Sequence, residues 1–268
     1  MPHIKTKSGI RWHYELDGAG ANLLFIHGWG VDKRIWRQQT KHFTKSHRVL
    51  SVDLPGHGKS AWRSILLEEM AQDLGDILYQ LGIMSTTIVA SSLGGLVTIK
   101  LYELHPEKIE RIVFVGSMPK FAKTEHHPFG LDIAQIRKLN SQLERAYPSI
   151  IDAFFRSLFS EEERQSRRFK WLQTFRKTDQ EKPMKGALME YLDIIENEDL
   201  RETFKTIDRP VQFINGKKDI ICCVDSVKYM QKMLPNAQYD FFENCGHFSF
   251  LSKPYEFNQL LEDFLNKK

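Results

Sequence analysis

The sequence predicts an α/β protein whose mostly parallel sheet is covered by helices on both faces. Short runs of apolar residues, too short for helices, alternate along the chain with helical patterns. These runs are apolar throughout, which is typical of parallel strands that are buried on both faces. A stretch of roughly 80 residues after Met118 contains no strand-like run and is too long for a plain loop, which indicates inserted helices.

The first half of the chain supplies most of the predicted strands. Residues 10–15 alternate between apolar and polar side chains and predict an early antiparallel strand. Residues 67–81 carry apolar side chains at helical spacing and end at Gly82, as a helix with a glycine stop does. Four short runs predict buried strands: Leu23–Ile26, Val49–Asp53, Thr86–Ala90 and Ile112–Val115.

The second half begins with the inserted segment. Its helical patterns recur at three places: residues 148–159, 161–177 and 183–196. We interpret residues 119–198 as a helical cap inserted into a core that comprises residues 1–118 and 199–268. Beyond the cap we predict two strands and an amphipathic helix: Val211–Ile214, Tyr239–Phe242 and Glu256–Leu265.

The composition argues against several classes of function. A formal charge of +4 without a nucleic-acid-binding motif gives no reason to expect a nucleic acid as partner. No apolar run approaches the ~20 residues that span a bilayer and the N-terminus lacks a signal peptide, so we expect a cytoplasmic protein without membrane contact. Three cysteines imply no disulfide framework. Cys245 and His247 lack the further ligands of a metal site, and we expect neither metal nor cofactor.

A second short motif partly matches a nucleotide-binding loop. Residues 58–60, Gly-Lys-Ser, resemble the end of a phosphate loop. The first glycine of that motif would fall on position 53, which is an aspartate. We therefore predict no phosphate loop at this point of the chain.

Ser92 stands at the turn between the predicted strand Thr86–Ala90 and a helix that follows it directly. Small residues surround it, in a pattern one methyl group away from the Gly-x-Ser-x-Gly of a nucleophile elbow. A side chain at Gly94 would collide with the neighbouring strand as the helix folds back. The helix N-terminus directs N–H groups at any developing oxyanion. The pattern predicts a serine nucleophile, although an ordinary strand-to-helix turn can carry the same motif.

Ser92, Asp219 and His247 each follow the end of a predicted parallel strand, in the order serine, acid, histidine. Reacting groups gather at this edge of open α/β sheets. A serine hydroxyl needs a base, and the imidazole needs a carboxylate that fixes its tautomer. Asp225 is the alternative acid, but it lies at the predicted start of a helix. We therefore predict that the first three residues form a catalytic triad.

The loop at residues 27–30, His-Gly-Trp-Gly, is predicted to complete this site. Its glycines permit backbone angles that turn an N–H group inward. We predict that the backbone N–H groups of Trp29 and Leu93 form an oxyanion hole. His27 precedes the loop, and we interpret it as a structural histidine.

Several motifs together resemble the signature of α/β-hydrolases: residues 27–30 (HGWG), 53–60 (DLPGHGKS), 92–97 (SLGGLV), 105–107 (HPE) and 245–247 (CGH). More narrowly, Trp29 and residues 169–173 (FKWLQ) and 199–201 (DLR) resemble the methyl ester esterases of biotin synthesis. The resemblance covers nearly the whole chain. It implies the α/β-hydrolase fold and hydrolysis of the methyl ester of pimeloyl-acyl carrier protein, with release of methanol. Ala90 and Ser91 depart from the Gly-Trp that the family often places before the nucleophile.

The same resemblance implies roles for individual residues. The implied substrate contacts are Trp29, Ser92, Leu93, Phe169, Lys170, Trp171, Leu172, Gln173 and His247. Arg164 and Arg168 are implied to contact the acyl carrier protein. Residues 164–177 contain six basic residues and no acidic one. We predict that the two arginines lie one turn apart on one helix and that Leu172 and Phe175 continue the same stripe; a solvated helix face is the alternative.

Two other functions stay open at this point. One is a carboxylesterase or thioesterase for small free esters, because the scaffold alone does not identify a substrate. The other is a receptor that keeps the fold and uses the pocket for binding. A haloalkane dehalogenase is disfavoured because it needs a carboxylate at position 92. We expect a monomer.

Overall fold

The computed structural model describes residues 2–179 and 181–267, without the side chains of residues 175–179. The strands are β1 (His3–Lys5), β2 (Arg11–Asp17), β3 (Ala21–Ile26), β4 (His47–Val52), β5 (Thr86–Ser91), β6 (Ile109–Val115), β7 (Val211–Gly216) and β8 (Gln238–Phe242). They form one sheet in the order β1-β2-β4-β3-β5-β6-β7-β8. β1 was not predicted, and the other strands confirm the predicted runs.

The sheet is antiparallel at one edge and parallel elsewhere. β1 pairs with β2 and β2 with β4 in antiparallel fashion. From β4 through β3, β5, β6, β7 and β8 every pairing is parallel. The carboxyl ends of these parallel strands therefore lie along one edge of the sheet, where the loops after β3, β5, β7 and β8 meet.

Helices cover both faces of the sheet. The helices of the core are α1 (Arg37–Phe43), α2 (Leu67–Gln80), α3 (Leu93–Leu104), α9 (Arg201–Lys205), α10 (Val224–Met233), α11 (Ser249–Ser252) and α12 (Pro254–Leu265). α2 packs on α3, and α1 packs on α12. The predicted fold class, a mostly parallel sheet between helices, is confirmed.

Five further helices lie between β6 and β7: α4 (Ile133–Ala146), α5 (Ser149–Ser157), α6 (Glu161–Gln165), α7 (Arg167–Asp179) and α8 (Lys185–Asn197). α5 and α8 confirm two predicted helices. α4 was not predicted, although Asp132 and Gln135 form a capping box at its start. The boundaries of the predicted cap, residues 119–198, stay a prediction.

One predicted helix is wrong in its continuity. Residues 161–177 do not form a single helix, because Ser166 adopts an extended conformation between α6 and α7. Its hydroxyl donates to the carbonyl of Glu163 at 2.6 Å and accepts from the N–H of Phe169 at 3.0 Å. The serine thus ends one helix and begins the next. Arg164 and Arg168 consequently lie on two helices instead of one turn apart on one.

Across the described ranges, no helix combines the length and the apolar character that a membrane crossing requires.

Candidate active site

Ser92 occupies the sharp turn between β5 and α3. Its φ of 53° makes it the single non-glycine residue with positive φ in the described part of the chain. Its N–H donates to the carbonyl of Val115 at 3.0 Å, and its carbonyl accepts from the hydroxyl of Ser117 at 2.7 Å. These bonds to β6 and to the residues after it hold the strained backbone in place.

Glycines allow the neighbouring segments to approach this turn. A Cβ atom on Gly94 would lie 2.7 Å from the carbonyl oxygen of His27, at the end of β3. A Cβ atom on Gly28 would lie 2.9 Å from the Cβ of Ser92. The collision predicted for a side chain at position 94 is confirmed, and the loop after β3 lies directly against the serine.

Asp219 and His247 are joined by a hydrogen bond at the same edge of the sheet. The distance between Asp219 Oδ2 and His247 Nδ1 is 2.8 Å, and both side chains are buried. The other carboxylate oxygen, Oδ1, accepts from the N–H groups of Ile221 at 2.8 Å and Cys222 at 3.1 Å. Asp225, the alternative acid, lies in the first turn of α10, is exposed and pairs with a lysine. With Nδ1 donating to the carboxylate, the Nε2 atom of His247 is left as an acceptor.

The two predicted oxyanion-hole residues lie in the segments that follow β5 and β3. Leu93 is the first residue of α3, so its N–H lies at the positive end of the helix dipole. Trp29 lies between two glycines in the loop after β3. In the described part of the chain, neither backbone N–H has a protein acceptor. Trp29 lines the cavity above Ser92, whereas Leu93 is not among its lining residues, and the oxyanion hole stays a prediction.

Two buried histidines shape the loop after β3, and only one of them was anticipated. His27 Nε2 accepts from the N–H of Leu54 at 2.9 Å, and burial lowers its pKa. His57 Nε2 accepts from the N–H of Gly30 at 3.2 Å, and burial lowers its pKa to about 3. Both rings are neutral, because each Nε2 atom accepts from a backbone N–H group. This supports the structural interpretation of His27, and His57 has the same structural role.

A cavity of about 390 Å³ opens above the serine. Trp29, Ser92 and His247 contribute to its wall. The rest of the wall is mainly apolar and comes largely from the inserted helices and the residue after α5: Ile136, Leu139, Phe154, Leu158, Leu192 and Ile195. Sequence reasoning missed these residues; the capping box before α4 was the signal that could have revealed its helix.

The segment at residues 169–173 lies outside the wall of this cavity. Phe169 and Leu172 are buried, and Phe169 packs edge to face against Phe159 with ring centroids 4.8 Å apart. Lys170 and Trp171 are exposed instead, and Trp171 and Leu172 border a separate groove beside the 3-10 helix at residues 33–36. The substrate contacts implied for this segment are therefore not brought to Ser92, and they stay a prediction.

The two arginines implied to contact the carrier take part in bonds that hold the helices. Arg164 Nη1 donates to the carbonyl of Phe159 at 2.6 Å. Arg168 Nε donates to the carbonyl of Leu251 at 2.8 Å, and its guanidinium lies 4.6 Å from the ring centroid of Trp171. Burial lowers the pKa of Arg168. The predicted stripe also included Phe175, whose side chain lies outside the described residues.

The site brings together groups that acyl transfer through a serine uses. Ser92 and His247 lie in the wall of one cavity, and the imidazole of His247 is held by a carboxylate. Cys245 lies two residues before His247 in sequence, but burial raises the pKa of its thiol to about 12, so it stays protonated and unreactive.

Comparison with known proteins agrees with this geometry. The family model described as the alpha/beta hydrolase fold matches residues 21–254. A pimeloyl-[acyl-carrier protein] methyl ester esterase of Nitrosomonas europaea is 31% identical over 246 residues, which cover 91% of this chain and 96% of the relative. A protein of the same name from Photobacterium profundum is 30% identical over 255 residues, covering 94% and 97%.

A solved structure gives the same answer for the fold. An esterase from Exiguobacterium antarcticum superposes with a TM-score of 0.90 at 21% identity and covers 99% of both chains. Family model, relatives and architecture coincide, and the chain belongs to the α/β-hydrolases, as a carboxylic ester hydrolase.

Proposed function

We propose that this chain hydrolyses the methyl ester of pimeloyl-acyl carrier protein in biotin synthesis and releases pimeloyl-acyl carrier protein and methanol. The observation that carries the chemistry is the 2.8 Å bond between Asp219 and His247, with His247 and Ser92 in the wall of one cavity. The substrate is inferred from the relatives, whose names specify this ester.

In the proposed reaction, the hydroxyl oxygen of Ser92 attacks the ester carbonyl carbon and its proton passes to His247 Nε2. The N–H groups of Trp29 and Leu93 stabilise the oxyanion, and Asp219 stabilises the imidazolium. Collapse of the intermediate breaks the bond to methoxide, which takes the proton from His247 and leaves as methanol. Water then attacks the acyl-serine, giving its proton to His247, and the second collapse returns the proton to Ser92 and frees the carboxylic acid.

The carrier is proposed to dock on the basic surface of α6 and α7, which comprises Arg164, Arg167, Arg168 and Lys170. Acyl carrier proteins are acidic, and attraction between opposite charges raises the rate of encounter. Arg167 and Lys170 are exposed, whereas Arg164 and Arg168 are half-buried and bond to backbone carbonyls. Reversing the exposed pair therefore tests docking without removing the bonds that hold the helices.

We expect the double variant Arg167→Glu with Lys170→Glu to lower kcat/KM for the carrier-bound methyl ester about tenfold at low salt and to flatten its salt dependence. Turnover of p-nitrophenyl acetate should stay within about twofold, because the reacting groups are untouched. The matched control reverses two exposed lysines of the core, Lys41 and Lys232, with the same change of charge. An equal loss in the control variant would contradict docking at α6 and α7.

A small free ester is the second candidate substrate. Two observations favour it. Arg164 and Arg168 donate to backbone carbonyls of the chain itself, and residues 169–173 lie outside the cavity. The two candidates are separated by expressing this chain in cells that lack their own pimeloyl-acyl carrier protein methyl ester esterase and measuring growth without biotin. Restored growth supports the carrier-bound ester, and failure of the active enzyme to restore growth supports the small ester. A burst of acyl-enzyme formation with an activated ester would show that the chain is an enzyme, whereas a receptor that only binds its ligand would give no burst.

A further inference from the structure

The loop that carries His247 is held from two sides. On the core side, the N–H of Lys218 donates to the carbonyl of Cys245 at 2.9 Å. On the other side the loop meets residues 158–163, which comprise the link between α5 and α6 and the first turn of α6. A Cβ atom on Gly246 would collide with the carbonyl oxygen of Leu158, so only glycine permits this approach. The position of the histidine thus depends on inserted helices as well as on the sheet.

Three hydrogen bonds join the two segments. The N–H of His247 donates to the carbonyl of Leu158 at 2.8 Å. The hydroxyl of Ser160 donates to the carbonyl of Asn244 at 2.9 Å. The N–H of Gly246 donates to Glu163 Oε2 at 2.8 Å. In the first two bonds the acceptor is a backbone carbonyl, and in the last it is the carboxylate of a side chain.

Glu163 is itself fixed by the start of α6. Its Oε2 atom accepts from the N–H of Ser160 at 2.6 Å, and its own N–H donates to the hydroxyl of Ser160 at 3.2 Å, which completes a capping box. The residue is 8% exposed, and no cation pairs with it among the described side chains. A buried carboxylate costs free energy unless it is hydrogen-bonded. Here two backbone N–H groups donate to its Oε2 atom, and one of them belongs to the residue before His247.

We propose that Glu163 is a positioning residue that fixes the imidazole of His247 against Asp219 and Ser92. The inference rests on the proposed role of His247 as general base. Without the carboxylate, the N–H of Gly246 loses its acceptor and the histidine loop loses one of its three anchors on the inserted helices. A displacement of about 1 Å at a reacting group can reduce the rate on the order of 100-fold. Binding of substrate is affected less, because Glu163 lies outside the cavity wall.

The test measures kcat and KM separately, with p-nitrophenyl acetate, so that the outcome does not depend on the carrier. We expect Glu163→Ala to lower kcat about 10- to 100-fold with KM within about threefold. Glu163→Gln keeps an oxygen acceptor of the same length and should retain kcat within about threefold. The matched control is Glu161→Ala, which removes an exposed carboxylate from the same first turn of α6.

A spectroscopic measurement separates positioning from stability. The proton on His247 Nδ1, bonded to Asp219, gives a low-field proton NMR signal that broadens or disappears when the imidazole is free to move. We expect this signal in the wild type, in Glu163→Gln and in Glu161→Ala, and its loss in Glu163→Ala at a temperature where that variant is folded.

Two results would overturn the inference: an unchanged kcat in Glu163→Ala, or a glutamine variant as impaired as the alanine variant. If Glu163→Ala does not fold, Glu163→Met keeps the length of the side chain and removes the acceptor of the Gly246 N–H, and an unchanged kcat there would also overturn it. His247→Ala is measured in parallel. Turnover that survives in His247→Ala refutes the proposed catalytic role of the histidine, whatever the result at Glu163.

Discussion

At the scale of single residues, Ser92 combines backbone strain with a reactive position. Its φ of 53° and ψ of −123° lie in a region that side chains disfavour, at a cost on the order of 1–3 kcal/mol. Bonds from Val115 and Ser117 to its peptide groups offset that cost. The short motif around the serine predicted this turn because only small neighbours permit it. The strain itself follows from packing between β5, β6 and α3.

This strain leads to a prediction about two replacements of Ser92. Ser92→Ala and Ser92→Gly should both lower kcat for ester hydrolysis by at least about 10³-fold, because each removes the hydroxyl. Glycine tolerates the conformation, so Ser92→Gly should have a free energy of unfolding about 1 kcal/mol higher than that of Ser92→Ala. Urea denaturation and ester turnover measure the two effects. A glycine variant less stable than the alanine variant would show that the surrounding bonds, rather than φ, dominate.

At the scale of helices and strands, apolar runs predicted the strands that are buried on both faces of the sheet. β3, β5, β6 and β7 are buried nearly throughout, and their sequences show it. The inserted helices were harder to predict. Residues 161–177 have a continuous helical pattern, yet Ser166 uses its hydroxyl to end α6 and begin α7. Such a competition between side chain and backbone is decided by tertiary packing, so the pattern alone does not reveal it.

Trp29 shows how an element of the core holds an inserted helix. Its indole N–H donates to the carbonyl of Leu188 in α8 at 2.9 Å, and its ring packs edge to face on Phe154 in α5. Trp29→Phe removes this bond and leaves a small void. We expect the free energy of unfolding to fall by about 1–3 kcal/mol.

The kcat of Trp29→Phe for a small ester should stay within about threefold, because the proposed oxyanion donor is the backbone N–H. Thermal denaturation and turnover measure the two quantities, with Trp171→Phe as control for an exposed indole. A large loss of kcat at unchanged stability would indicate that the indole, rather than the backbone N–H, takes part in the reaction.

At the scale of the whole molecule, the sheet brings together residues that are far apart in sequence. Ser92, Asp219 and His247 each follow a predicted parallel strand, and because parallel strands share a carboxyl edge, the sequence predicted all three on that edge. The wall of the cavity could not be predicted in this way. Ile136 of α4 and Ile195 of α8 reach it because of how the inserted helices pack on each other and on the core, which no local pattern specifies.

Asp53 links segments of the core in a comparable way, and it makes stability depend on pH. It follows β4 and bonds His13 Nδ1 at 2.7 Å, the N–H of Lys33 at 2.9 Å and the N–H of Lys59 at 3.2 Å. Burial tends to raise the pKa of its carboxyl, but the bond to His13 and the charge of Lys33 outweigh burial and lower the pKa from 3.8 to about 2. The folded state therefore holds the proton less tightly than the unfolded state.

A carboxyl with a lowered folded pKa stabilises the protein fully above its unfolded pKa and loses that contribution as the pH falls through the folded pKa. The shift corresponds to about 2 kcal/mol, present above pH ~5 and lost progressively between pH ~4 and ~2. We expect Asp53→Asn to be destabilised at pH 7 by about that amount, and the difference from the wild type to shrink as the pH falls below 4. Urea denaturation from pH 7 to pH 3 measures it. Asp263→Asn, which changes an exposed carboxyl, is the control. A difference that stays constant down to pH 3 would show that the effect of Asp53 comes from packing rather than from its charge.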